Sequence, residues 1–315
     1  MSSPLVLALR PSSHDDDDDV LRVLAAREAH DFGLAEFIRG FLLERWREQR
    51  FRPEADAVVA HDGDVVVGYA GLFEQGALVF VDPGHERQGA GSRLREWVEA
   101  QAEERRRSHH RQVIAHENAG AHALLAAAGY QQVRSVIQMA KALDAAAPAP
   151  PPPAQITLAR LNLPADGRAL HLADTASFAG NADFEPSSFE SFDQEHLQSP
   201  HLDLELSRVA RRGGAIVGFT LCRRQPDGTG YVDLLAVDPS ERGRGLGTSL
   251  LLTAFECFAR AGLREAWLDV ASDNARGLRL YDRAGMSERL RVDVYEKPVQ
   301  YTAAVEPASG PAIGS

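Results

Sequence analysis

The chain has 315 residues, with 34 Lys and Arg against 45 Asp and Glu and only two cysteines. That length suits two domains of ordinary size, and 44% hydrophobic with 25% charged residues is the balance of a soluble globular fold. The net charge of −11 divides into −5 over residues 1–141 and −6 over 142–315, so neither half carries the clustered Lys and Arg that nucleic acid or an anionic lipid surface requires. No stretch approaches the ~20 apolar residues that span a bilayer. Met1–Arg10 lacks the charged start and apolar run of a secretion signal. Cys222 and Cys257 fit no metal or redox spacing, which leaves them as small hydrophobes of a cytoplasmic protein without a metal cofactor.

In chain order, the pattern predicts a first strand at Val6–Arg10 and then one or two helices. A hairpin follows over Ala57–Phe73, broken by His61-Asp62-Gly63-Asp64. A strand at Ala77–Val81 leads through a Gly-rich turn into a helix over Gly89–Arg106. The strand Gln112–Ala115, the helix Ala119–Ala128 stopped at Gly129, and the strand Val133–Lys141 complete the series. The run Asp144–Gln155, DAAAPAPPPPAQ, cannot join a helix or inner strand because proline fixes φ and removes amide donors; it reads as an extended linker. The same element order then recurs from Ile156–Arg160 to Arg289–Lys297. Val81-Asp82-Pro83, Gly89, Gly91, Asn118, Gly129 and Lys141 reappear 156 residues later, and Val67-Gly68 reappears as Val217-Gly218, 150 later. The six extra residues fall in the turn around Arg224–Gly230. The chain is therefore a duplicated α/β domain: residues 1–143, a linker at 144–155, a second copy at 156–298, and an Ala/Pro/Gly-rich disordered tail at 299–315.

The chemistry concentrates in Tyr231–Leu252, YVDLLAVDPSERGRGLGTSLLL. A strand runs through Asp238-Pro239 into Arg242-Gly243-Arg244-Gly245-Leu246-Gly247 and then an apolar helix. Glycines expose backbone amides at a helix N-terminus, where amides and dipole attract an anion, and Arg242 and Arg244 add positive charge. The loop lacks the Gly-Lys-Ser/Thr of a P-loop and the G-x-G-x-x-G of a dinucleotide fold. On its own it reads as a pyrophosphate cradle or as a tight strand-to-helix turn.

With the downstream Asn274, Tyr281 and Gly285, this R-x-x-G-x-G loop resembles the GNAT superfamily of acetyl-CoA-dependent N-acetyltransferases, strongly over Ile156–Lys297 and less so over Val6–Lys141. The resemblance implies two tandem GNAT-like domains, each a mixed, mostly antiparallel sheet flanked by helices. It implies that main-chain groups of Leu235, Ala236 and Val237 hold the pantetheine arm. The loop of Arg242, Gly243, Arg244, Gly245, Leu246, Gly247 and Thr248 would hold the pyrophosphate of acetyl-CoA. Asn274 would help fix the cofactor arm, and Tyr281 would protonate the departing thiolate. Many relatives carry a Glu six residues before the Val of LAVDP; here that position is Tyr231, and Asp233, two residues on, stands as the candidate base, directly or through water.

The first copy departs from this pattern. Glu86 stands where the second has Arg242, and Leu125 where it has Tyr281, so the first domain is expected to be catalytically silent. His14 with Asp15–Asp19 reads as a solvated helix start rather than a metal cluster. His109-His110 reads as a surface helix end. Asp183 and Glu185, in the segment Phe178–Phe192, are candidate acidic contacts for a cationic acceptor. The resulting expectation is acetyl transfer to a primary amine of a small molecule in the C-terminal domain. The alternatives are a protein or peptide N-acetyltransferase and a non-catalytic acyl-CoA sensor.

Overall fold

The computed structural model describes residues 7–33, 37–47, 50–74, 76–143, 148–163, 165–180, 184, 186–225 and 227–299. The fold is α/β with mixed sheets flanked by helices. Two compact units form, and neither matches one sequence repeat: the first is Met1–Ser135 with Val292–Ser315, the second Val136–Arg291.

The first unit contains β1 (Leu7–Pro11), α1 (Asp17–Phe32), α2 (Phe37–Trp46), α3 (Pro53–Asp56), β2 (Ala57–Asp62), β3 (Val65–Phe73), β4 (Gly76–Val81), α4 (Ala90–Glu104), β5 (His109–Ala115) and α5 (Ala119–Ala127). Its sheet runs β1-β2-β3-β4-β5 and closes on residues 292–298 of the last strand of the chain. Burial follows the amphipathic pattern on both faces. Val20, Val23 and Leu24 of α1 meet Tyr69 and Phe80 on one side, and Leu94 and Val98 of α4 meet Val58 and Val67 on the other.

The second unit begins within β6 (Gln131–Ala142) and continues through β7 (Thr157–Arg160), α6 (Gly167–Phe178), α7 (Phe189–Phe192), β8 (Arg208–Arg212), β9 (Ala215–Arg224), β10 (Thr229–Val237), α8 (Leu246–Arg260), β11 (Glu265–Ala271), α9 (Ala275–Arg283) and the start of β12 (Ser287–Pro298). Its sheet order is β6-β11-β10-β9-β8-β7. Here Val136–Ala142 of β6 pair antiparallel with Glu265–Ala271 of β11, while in the first unit Val292–Pro298 of β12 pair with His109–Ala115 of β5.

This exchange corrects the domain limits at 143 and 156, because each repeat sends its last strand into the other unit. Burial says the same: Ile137 and Met139 of β6 join Phe255 and Phe258 of α8 in the second core, and Tyr295 of β12 joins Ile114 and Leu125 in the first. Part of the Pro/Ala linker is not a free spacer. The Ala149 amide donates to Glu256 on α8, and Ser249 Oγ donates to the Pro150 carbonyl, each at 3.0 Å. Of the expected tail, only Val299 lies among the described residues, and its amide donates to the Ser108 carbonyl.

The acidic run behaves as a helix start: Ser13 and Asp16 form a capping box, Asp16 also holds Arg10, and Asp17–Asp19 fill the first turn of α1. The reading of His109-His110 as a surface helix end does not hold. Both open β5, and His110 is buried against Tyr130, with its pKa lowered by that burial.

Candidate active site

In the second unit β10 and β11 pair in parallel only from Thr229–Glu265 to Tyr231–Trp267. Beyond Tyr231 the register with β11 ends, so among the described residues one main-chain edge of Leu235, Ala236 and Val237 has no strand partner, while the other edge stays paired to β9. The β9–β10 register also slips between Val232 and Leu234, leaving Asp233 as a bulged extra residue. The first unit has no such slip between β3 and β4. The six-residue insertion is thus spread over the bulge and the lengthened hairpin, not confined to the turn. The bulge also breaks the simple alternation that placed Asp233 on the face of Tyr231.

After β10, Asp238 caps a short turn by accepting from the Ser240 amide and hydroxyl at 2.8 and 2.6 Å, which holds its carboxyl below the usual range. Gly243 and Gly245 then adopt left-handed φ of 75° and 89°, and Gly245 is the N-cap of α8. Its first amides have no carbonyl one turn back, so Leu246, Gly247 and Thr248 present N–H groups at the positive end of the helix. A Cβ at Gly247 would meet Leu280 of α9 at 3.4 Å, an ordinary van der Waals contact.

The two loop arginines differ. Arg242 turns inward, donating to the carbonyls of Val237 and Ser177, the latter in the last turn of α6. Burial lowers its pKa. Arg244 remains 60% exposed, 3.5 Å from Glu241. Glu241 is itself buried and accepts two bonds from Arg212 of β8, at 2.7 and 2.9 Å. Arg242 and Glu241 therefore brace the loop, and Arg244 is its outward cation.

Asn274 is the N-cap of α9, its Oδ1 accepting from the Gly277 amide at 2.9 Å. Tyr281, one face along, is buried in the cluster that includes Val232 and Leu251, and burial pushes its phenol up to about 12. Tyr231 is likewise raised well above 10 by burial and donates to Asp269, whose own carboxyl is raised by burial. Gln138 donates to Asp269 at 3.2 Å, and Arg289, stacked 4.0 Å over the Trp267 ring, donates to Gln138. Tyr231 thus belongs to a strand-tying network.

Asp233 has different neighbours. Its Oδ2 lies 2.9 Å from Arg223 of β9 and 3.0 Å from Nδ1 of His196, in the π-helical turn Asp193–Leu197. Phe192 packs against both His196 and His171, with centroids at 5.1 and 5.4 Å. On α6, Asp174 is buried, its Oδ1 has no hydrogen-bond partner among the described residues, and burial pushes its carboxyl up to about 6 against the pull of His196 and His171. Neither His196 nor Asp174 stands in a sequence motif. Asp174 had one legible signal, an acid four residues after Leu170 on the buried stripe of α6. Asp183 and Glu185 lie outside the described residues.

The first unit repeats the loop geometry with reversed charges. Arg87 takes φ 58° where the second unit has Gly243, and Gly89 caps α4 at φ 92°. Glu86, however, is paired with Arg27 of α1, which also binds Asp31, and Asn118 donates to Asp31 at 3.2 Å. At the 150-residue offset Arg27 corresponds to Ser177. The helix-to-loop clasp is kept, but its cation sits on the helix in the first unit and on the loop in the second. These residues line a cleft of about 440 Å³ in the first unit.

The acetyltransferase (GNAT) family model matches residues 24–130 and again 172–286. The chain is 31% identical over 295 residues to the mycothiol acetyltransferase of Thermomonospora curvata, covering 90% of this chain and 95% of that one. It is 31% identical over 248 residues to the mycothiol acetyltransferase of Thermobispora bispora, covering 75% and 81%. A GCN5-related N-acetyltransferase from Sphaerobacter thermophilus superposes with a TM-score of 0.81 at 27% identity, over 94% of this chain and 96% of that one. A tandem GNAT protein from the clavulanic acid biosynthesis pathway superposes at 0.70 and 19% identity, over 94% and 99%, a likeness of fold. Among the described residues no helix is long and apolar enough to cross a membrane.

Proposed function

Because the chain belongs to the acetyltransferase (GNAT) family, we propose that its second unit transfers the acetyl group of acetyl-CoA to a primary amine of a small molecule. The observation that carries this reading is the contrast between the repeats. The second keeps open amides at Leu246–Thr248 and a phenol at Tyr281, while the first sets an Arg27–Glu86–Asp31 cluster at its loop and a leucine at the phenol position.

The donor supplies an activated acetyl group, and the residues of this chain bind, orient and move protons around it. The unpartnered edge of Leu235–Val237 suits the amide-bearing pantetheine arm as an added strand. The amides of Gly243–Thr248 and the exposed Arg244 suit the pyrophosphate, with Arg242 holding the loop in shape. Asn274 keeps α9 in register and so positions Tyr281. A phenol at about 12 stays protonated at neutral pH and is available to give its proton to the leaving thiolate.

On the acceptor side, Asp233 already has Arg223 and His196 on Oδ2, which makes it a poor direct base and a good orienting group. With Nδ1 of His196 donating to Asp233, Nε2 is left as the basic nitrogen that takes the amine proton. Asp174, buried and without a partner on Oδ1, suits the docking of the cationic amine before it is deprotonated. The mycothiol acetyltransferase relatives support a small acceptor, and a mycothiol-related amine is the first to try.

The test is thiol release from acetyl-CoA by the full chain against three acceptors: a mycothiol-related amine, an aminoglycoside and a peptide N-terminus. Turnover of a small amine is expected, with Tyr281→Phe lowering kcat while acetyl-CoA affinity is kept. Turnover of the peptide alone would replace the acceptor class, and tight CoA binding without turnover would make the protein a sensor.

A further inference from the structure

Among the described residues, a cluster in the first unit brings together side chains of metal-ligating type. His116 follows β5, His122 lies on α5 and Asp293 on β12, and one ligand atom from each falls within 4.8 Å of the others. Both imidazoles converge on one carboxylate oxygen: Asp293 Oδ2 is 2.8 Å from His116 Nδ1 and 3.5 Å from His122 Nε2. Asp293 is completely buried, and among the described residues its ionic partners are these two rings.

The surroundings are those of a supported ligand set. Ser135 Oγ donates to the other oxygen, Oδ1, at 2.5 Å, which leaves Oδ2 facing the rings. The Tyr295 hydroxyl lies 2.7 Å from His122 Nδ1, the outer contact that fixes which nitrogen faces a metal. His122 Nε2 is also 2.9 Å from the His116 carbonyl, a contact that a cation bound between Nε2 and Oδ2 would replace. His116 is 45% exposed, which gives an entry path and room for water as a further ligand. The repeat equivalents of His116, His122 and Asp293 are Ser272, Leu278 and Ile137, so the cluster is not a by-product of the duplicated fold.

We propose that the first unit binds one divalent transition-metal ion through His116, His122 and Asp293, and that the ion fastens β12 to β5 and α5. Two imidazole nitrogens and one carboxylate suit Zn²⁺ or Co²⁺, whereas Ca²⁺ and Mg²⁺ prefer oxygen alone. The site was not legible as a motif, because 171 residues separate His122 from Asp293 and only the strand exchange unites them.

The test uses the full-length, untagged protein, stripped with chelator and titrated with Co²⁺. One equivalent is expected to give visible absorption that Zn²⁺ abolishes, and saturating Zn²⁺ is expected to raise Tm. His116→Ala, at a half-exposed position that leaves the core intact, should abolish the signal. Tyr295→Phe should weaken binding by about 10–100-fold. Absence of stoichiometric binding, or binding indifferent to His116→Ala, would overturn the proposal and leave a proton-only His–Asp network.

Discussion

Asp174→Asn separates stability from function at the acceptor side. Burial raises this carboxyl from 3.8 to about 6, so the folded state holds its proton more tightly than the unfolded chain does. The sign follows: the stabilising contribution is complete below about pH 4 and is lost as pH rises through about 6. A two-unit rise corresponds to about 3 kcal/mol, which partial contact with water reduces to about 1–2 kcal/mol. Asparagine keeps the shape and never ionises, so its advantage over aspartate is that amount at pH 8 and close to nothing at pH 4. At roughly 2–4 °C per kcal/mol for a domain of 150–250 residues, the variant should melt about 2–8 °C higher at pH 8. Scanning calorimetry at the two pH values reads this directly, and an equal shift at both would refute the burial argument. If Asp174 docks the amine, the same variant has a higher KM for the acceptor and an unchanged one for acetyl-CoA. A gain in Tm with both constants unmoved would remove Asp174 from the site.

His196→Ala should lower turnover by about 10²–10⁴-fold with acetyl-CoA affinity intact, as measured by thiol release and calorimetric titration. Gly230→Ala would place a Cβ 2.3 Å from Phe258 Cδ2 in a filled core, and should cost about 1–3 kcal/mol in urea melts, with Phe258→Leu restoring part of it. Fragments 1–143 and 154–315, expressed together, should copurify one to one, because each carries a strand that the other unit pairs; two independent monomers on a sizing column would contradict the exchange.

Much of this molecule was legible in its sequence, for reasons of local chemistry. Glycines at 243, 245 and 247 marked a tight turn and Gly285 a helix stop; Gly243, Gly245 and Gly285 take left-handed φ, and Gly247 does not. Repeated motifs carried the duplication, because strand, turn and helix kept one register. What stayed hidden was non-local. A last strand has the same pattern whether it returns to its own sheet or leaves for another, so the limits at 143 and 156 followed the repeat and not the packing. The bulge at Asp233 looked like strand, because an extra residue leaves no mark until its partner strand is known. Arg242 read as a loop cation because its acceptor, the Ser177 carbonyl, lies 65 residues away. His196 became visible only through its bond to Asp233 across a fold that brings together residues 37 apart.

The exchanged strands also bear on how the chain is made. Sheet formation in the first unit needs Val292–Pro298, which are synthesised long after β5. At about 5–20 residues per second, β5 waits on the order of 10–40 s for that partner. Meanwhile β6, close behind in the chain, is the nearest strand of similar pattern for the open edge of β5. The repeat that lacks the phenol therefore cannot be deleted without removing the strand that β11 pairs with.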